Sequence, residues 1–307
     1  MLNGLEWLWD VAVEPALSEL GYGGLAPADG ELPRVWWVPG GLLSLLPIHA
    51  AGYHTAEDKI PRTALDHVVS SYAPTIRVLS YARHRGRRPA VRDRSLIIAM
   101  PTTPGLPGRN RLPGVTAEAE LLQACLPAPV RLAEPDPVTG PIPGTADILT
   151  RSKVLALLPE CAVAHFSCHG YSDLVDPSRS FLALHDHDTA PFTVGSLTGA
   201  HLENVQLAYL SACTTAMARA GIMREEVIHL ATAFQLAGFP HVIGTLWNVN
   251  DRLALAIARD FYAGLTASPD AIHTSRAARA LHHAVLRARQ AFPATPSLWA
   301  AYIHAGI

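Results

Sequence analysis

Two stretches, CAVAHFSC (161–168) and VQLAYLSAC (205–213), decide how this chain is read. Each is a near-continuous apolar run of strand length, the pattern of a strand buried on both faces. Helical patterns flank them. ADILTRSKVLALL (146–158) precedes the first, and EVIHLATAFQLAG (226–238) follows the second and closes on Gly238. Strands alternating with helices predict an α/β fold built on a parallel sheet with both faces covered.

Further strands are expected at RVWWVP (34–39), HVVSSY (67–72), SLIIAMP (95–101), PVRLA (129–133), FLALHD (181–186, in a hairpin) and HVIGTLWNV (241–249). Near the N-terminus, Leu5, Trp9, Val13 and Leu17 fall on one face of an amphipathic helix. Thr116 to Cys125 reads as a helix with Glu118 and Glu120 in its first turn, where acids suit the positive helix end. ALAIARDFYAGL (254–265) and SRAARALHHAVLRARQ (275–290) read as helices, and PSLWAAYIHAG (296–306) as a short terminal one. The Pro/Gly-rich stretch 133–146 reads as a surface loop. Residues 1–307 are treated as one domain, with 1–92 as a candidate N-terminal lobe.

Hydrophobic residues make up 49% of the 307 and charged ones 16%, enough apolar surface for a substantial core. Net charge is −2, which gives no global field for nucleic acid or anionic membrane. The basic run Arg83 to Arg94 reads as a solvated linker. No apolar run is long enough to span a bilayer, and the N-terminus, with Glu6 and Asp10, lacks the pattern of a secretory signal. The four cysteines, Cys125, Cys161, Cys168 and Cys213, are too few for a disulfide framework, so a cytoplasmic setting is expected.

In an open parallel sheet, ligands bind beyond the carboxyl ends of the strands. Here one strand runs into Cys168-His169-Gly170 and the other into Cys213-Thr214-Thr215. If the two strands are neighbours, a thiol and an imidazole emerge at one sheet edge, as nucleophilic catalysis requires. Cys213 is then the nucleophile and His169 the acid/base partner. The N–H groups of Gly170 and Cys213 are candidates for holding a developing oxyanion. Either residue alone has a plainer reading: a small core thiol at a strand end, or a turn histidine before glycine.

Other polar residues carry two readings each. Asp251, after Trp247-Asn248-Val249-Asn250, either caps the helix that follows or lines a pocket for a basic side chain. Asp173 either shapes the same cleft or sits in a surface turn. His165, Cys168, His169 and Cys213 can be drawn as metal ligands, but alternate strand residues face opposite sides and the spacing is not that of a structural site, so no metal is expected. His185-Asp186-His187-Asp188 reads as a polar hairpin tip, and His282 and His283 as a solvated helix face. Glu225 and Glu226 suit a helix start. There is no phosphate-binding glycine motif and no G-x-S-x-G elbow, so neither a nucleotide cofactor nor a serine hydrolase is expected.

HFSCHGYSD (165–173) with PSRSFLALHD (177–186) resembles the histidine block of CHAT domains, caspase-like peptidases related to caspases and separases. LAYLSACTT (207–215) resembles their cysteine block, and EEVIHLATAFQLAGFPHVIGTLWNVND (225–251) the segment after it. WVPGGLLSLLPIHAA (37–51), SSYAPTIRVL (70–79), LPGVTAEAELL (112–122) and PSLWAAY (296–302) match further blocks in order, so the resemblance spans nearly the whole chain. It implies a three-layer caspase-like sandwich around a mainly parallel sheet and a Cys213/His169 dyad with no third carboxylate. It implies a protein substrate, no cofactor, and activation by a sensor domain or partner protein, often in bacterial immunity or cell death. The Gln-Ala-Cys of caspases is Ser-Ala-Cys here. The competing reading is a catalytically silent scaffold of the same fold that binds a partner protein.

Overall fold

A computed structural model describes residues 1–24, 31–55, 62–85, 93–106, 111–136, 138, 140, 148–171, 179–198, 202–211, 226–268 and 271–307. The strands are β1 (Arg34–Trp37), β2 (Val69–Tyr72), β3 (Ser95–Ala99), β4 (Pro129–Ala133), β5 (Val163–Ser167), β6 (His169–Tyr171), β7 (Phe181–Ala183), β8 (Phe192–Thr193), β9 (Leu207–Leu210), β10 (His241–Thr245), β11 (Thr266–Ser268), β12 (Ala271–Ile272) and β13 (Tyr302–Gly306). The helices are α1 (Leu2–Leu8), α2 (Glu14–Glu19), α3 (Ala64–His67), α4 (Ile76–Arg85), α5 (Gly114–Cys125), α6 (Arg151–Leu157), α7 (Val194–Thr198), α8 (Glu226–Ala237), α9 (Asp251–Leu265), α10 (Ala277–Ala291) and α11 (Pro296–Trp299).

Eight strands form one sheet in the order β1-β2-β13-β10-β9-β5-β3-β4. Every neighbouring pair is parallel except β10 and β13. The central strands β3, β5, β9 and β10 are buried along their length, which is why they read as continuous apolar runs. On one face Ile97, Val163, Leu207, Tyr209 and Ile243 pack against α5, α9 and α10. On the other, Leu96, Ile98, Ala164, Phe166, Ala208 and Leu210 pack with residues of α6 and α8. Each fully buried aliphatic or aromatic side chain contributes about 1.5–3 kcal/mol. The result is the expected α/β fold, a helix–sheet–helix sandwich.

The N-terminal stripe is buried as read, at Leu5, Trp9, Val13 and Leu17. Its spacing of four residues drifts around a regular helix of 3.6 residues per turn. A wider π-helical turn over Trp9–Val13 absorbs the drift and keeps all four side chains inward.

Four expectations are corrected. PSLWAAYIHAG is helical only over Pro296–Trp299; YIHAG is β13, an inner strand pairing with β10 in the register Tyr302↔Thr245 to Gly306↔His241. The helix expected over 146–158 begins at Arg151, whose N–H is accepted by Asp186 Oδ1 at 3.0 Å. The strand expected over 241–249 stops at Thr245, and Trp247 Nε1 donates to Ser297 O at 2.8 Å instead of continuing the ladder. His282 is buried rather than solvated, and burial lowers its pKa to about 4; His283 beside it is exposed.

Two contacts tie this frame together. Arg289 on α10 holds Asp66 on α3 with two 2.7 Å hydrogen bonds, one to each carboxylate oxygen. Gly306 has φ +129°, and a Cβ there would sit 2.0 Å from the carbonyl oxygen of Pro240.

Gly306→Ala is therefore expected to destabilise the fold by about 3 kcal/mol or more, read as a lower denaturant midpoint with unchanged slope. Burial works to raise the Asp66 carboxyl, but its bonds to Arg289 and Thr63 outweigh this and hold it below the ordinary value. A depressed carboxyl stabilises fully above its unfolded pKa and loses that effect as pH falls through the folded one. Asp66→Asn should cost about 1–3 kcal/mol at pH 7, and the difference from wild type should shrink in unfolding curves taken below about pH 4.

Candidate active site

The site begins with the pairing of β5 and β9. They are adjacent, parallel and in register: Val163↔Leu207, Ala164↔Ala208, His165↔Tyr209 and Phe166↔Leu210. The neighbour relation on which the thiol–imidazole reading depends is present in the fold. Positions 169 and 213 each lie three residues beyond the last paired rung.

Beyond Ser167 the chain turns through Cys168 into β6, which leaves the main sheet and pairs antiparallel with β7, itself paired with β8. His169 sits opposite Ala183 and Gly170 opposite Leu182. This small sheet contains the hairpin expected at FLALHD, and within it His169 is buried, at 2% exposure. Burial lowers its pKa, so the neutral ring, the form able to take a proton, is favoured. Cys213, Asp173 and Glu225 lie outside the described residues.

Alternation sorts the remaining side chains. Cys168 faces the α6/α8 side, fully buried among Phe166, Leu182 and Leu184, and burial pushes its thiol far up. It is a core residue there. His165 points to the opposite face, stacked on Tyr209 with ring centroids 4.6 Å apart, its Nδ1 2.9 Å from the hydroxyl of Tyr262 on α9.

On that face lies a group the sequence reading placed wrongly. Glu118 was expected in the first turn of a helix starting at Thr116; α5 starts at Gly114, which moves Glu118 to the second turn and turns it into the interior at 4% exposure. Its Oε2 accepts from Ser167 Oγ at 2.6 Å, and its Oε1 and Oε2 accept from Ser211 Oγ at 2.9 and 3.1 Å. His165 Nε2 lies 3.3 Å from Oε1. Burial works to raise this carboxyl, but His165 and the two hydroxyls outweigh it and hold the group below its ordinary value. One sequence signal lies here: Ser-Cys-His (167–169) and Ser-Ala-Cys (211–213) place a serine two residues before each candidate side chain.

Asp251 is the first residue of α9, and the cap is its neighbour Asn250, whose side chain accepts from Arg252 N at 3.1 Å. Asp251 Oδ2 instead accepts from Gly114 N at 3.3 Å, joining the starts of α5 and α9. A Cβ at Gly114 would lie 2.9 Å from Asp251 Cβ, so glycine permits this approach. Asp251, Gly114, Glu118 and Ser211 line a small cleft of about 30 Å³. A much larger cleft, about 660 Å³, lies at the other end of α9 between Asp260, Arg279 and Arg287, away from both strand tips.

The turn at His185-Asp186-His187-Asp188 is anchored rather than free: His185 Nδ1 is 2.9 Å from Glu134 Oε1, and His187 is buried with Nδ1 3.0 Å from Leu184 O. Among the described residues no helix is long and apolar enough to cross a membrane.

Comparison with known proteins agrees with this architecture. Gingipain R, an Arg-specific cysteine proteinase, superimposes with a TM-score of 0.56 at 11% identity, covering 100% of this chain and 67% of that one. The complex of the Porphyromonas gingivalis RgpB pro- and mature domains gives 0.58 at 10% identity, with 100% and 69% covered. The Saccharomyces cerevisiae separase–securin complex gives 0.50 at 12%, with 86% of this chain and 15% of that chain covered. At these identities the likeness is one of fold, and the chain spans only a small part of separase. No curated protein matches the sequence. The CHAT domain profile matches residues 3–307, and the chain belongs to the CHAT domain family.

Proposed function

We propose that this chain is a cysteine endopeptidase with Cys213 as nucleophile and His169 as general acid/base. The observation that supports it most is the in-register parallel pairing of β5 and β9, which sets the ends of these two strands side by side. Neutral His169 takes the thiol proton, and the thiolate sulfur attacks the scissile carbonyl carbon. The negative charge on the carbonyl oxygen is met by the N–H groups of Gly170 and Cys213. The imidazolium returns its proton to the departing amine, leaving an acyl-enzyme. Water, deprotonated by the same imidazole, then releases the acid and restores the thiol.

Asp251 is the proposed contact for the residue before the cut, with Asp173 shaping the same cleft. A carboxylate there favours Arg or Lys, in line with the Arg specificity named for gingipain R. The cleft holds about one water as it stands, so a basic side chain widens it on entry. The substrate is a protein. Control by a sensor domain or partner protein, as in bacterial immunity or cell death, follows from the family resemblance, and a cytoplasmic setting from the few cysteines; the separase–securin complex is a structure of the same fold with a protein partner.

Cleavage of a fluorogenic peptide library, assayed with and without candidate partners, tests the reading. Cys213→Ala should abolish turnover, and His169→Ala should lower it by about 10²–10⁴-fold. Unchanged output from Cys213→Ala would favour the silent scaffold instead. Because burial lowers the pKa of His169, the acid limb of kcat/KM should fall below the usual histidine value of about 6.5. Asp251→Asn should reduce the preference for Arg or Lys over neutral residues by about tenfold or more. Were Asp251 only a staple between α5 and α9, stability would drop and the selectivity ratio would stay.

A further inference from the structure

We infer that Glu118 is a positioning residue for the Cys213/His169 chemistry, a shared anchor that sets the tips of β5 and β9 relative to each other. The inference rests on the peptidase reading above and adds to it a residue outside the expected dyad. The last rung between the two strands is Phe166↔Leu210. One residue further along each strand stand Ser167 and Ser211, and both hydroxyls end on the one carboxylate of Glu118. The link across the strand ends is thus carried by a side chain from α5. Two residues beyond each serine stand His169 and Cys213.

The anchor is itself held. His165, one side of it, is fixed by stacking on Tyr209 and by the hydroxyl of Tyr262, so α9 braces the same point. The start of α5 is tied to the start of α9 through Gly114 and Asp251. Burial pushes the phenols of Tyr209 and Tyr262 well above their ordinary value, so both stay neutral.

A buried carboxylate is a costly way to obtain stability, because well-packed apolar residues often do as well. What it offers instead is direction. An ionised carboxylate only accepts, so each hydroxyl must point its proton inward, and charge-assisted bonds near 2.6 Å hold a geometry tightly. Glutamine at this position has one acceptor oxygen and one donor nitrogen, so it cannot receive both serines in the same way. Displacement of a reacting group by about 1 Å costs on the order of 100-fold in rate.

The test compares wild type with Glu118→Gln, Ser167→Ala, Ser211→Ala and the Ser167→Ala/Ser211→Ala double variant. Active sites are counted by iodoacetamide modification of Cys213, read by peptide mass. Per titrated site, Glu118→Gln should lower kcat by about 10–100-fold with KM changed by less than about threefold. It should also slow the alkylation of Cys213. Added to the double serine variant, Glu118→Gln should cost little more, since all three act through one contact. Ser211→Thr, which keeps a hydroxyl, should retain more activity than Ser211→Ala. If Glu118→Gln does not fold, the half-buried Ser211 pair of variants reads the same geometry. Wild-type kcat per titrated site in Glu118→Gln, with only a lower melting temperature, would overturn the inference while leaving the peptidase reading intact. Wild type without cleavage, and with Cys213 no more reactive than the partly exposed Cys125, would overturn both.

Discussion

The parallel, in-register pairing of β5 with β9 is the constraint on which the rest of the molecule depends. Both strands are buried on two faces, so a slip of one residue would turn every apolar side chain to the wrong layer. The helices on either side enforce that register: α5 and α9 through Val163, Leu207 and Tyr209, and α6 and α8 through Ala164, Phe166, Ala208 and Leu210. The ends of the two strands themselves are therefore placed by the whole core.

The two faces of these strands do different work. Toward α6 and α8 the side chains are apolar, and even Cys168 is a core residue with a suppressed thiol. Toward α5 and α9, His165, Ser167 and Ser211 gather on Glu118 and Tyr262 through hydrogen bonds and close polar contacts, and Tyr209 stacks on His165. Such a polar cluster is expensive to bury, and each hydrogen bond within it offsets part of that cost. Its position directly under both strand ends is the reason to connect it with chemistry rather than with stability alone.

The separate sheet of β6, β7 and β8 adds the second element of placement. It draws the chain away from the main sheet immediately after Ser167, and His169 at its start is buried. Loss of hydration disfavours the charged ring and lowers its pKa.

Sequence alone determined the strands with strong apolar runs, the helices with clear stripes, the α/β class, the family, and the candidate pair His169 and Cys213. These follow from local periodicity and from motifs held within short windows. Tertiary structure decided what depends on partners distant in sequence. YIHAG became an inner strand because β10 and β2 offered free edges to a short run too ambiguous to classify locally. His282 went inside because α10 turned that side of its surface to the core. Asp251 bonded to Gly114 rather than capping its own helix. Glu118 looks like any surface acid in a helical stretch, and only the packing of α5 over the ends of β5 and β9 made it the acceptor that both serines share. A side chain's chemistry is written in the sequence, but its neighbours are set by which faces the chain buries together.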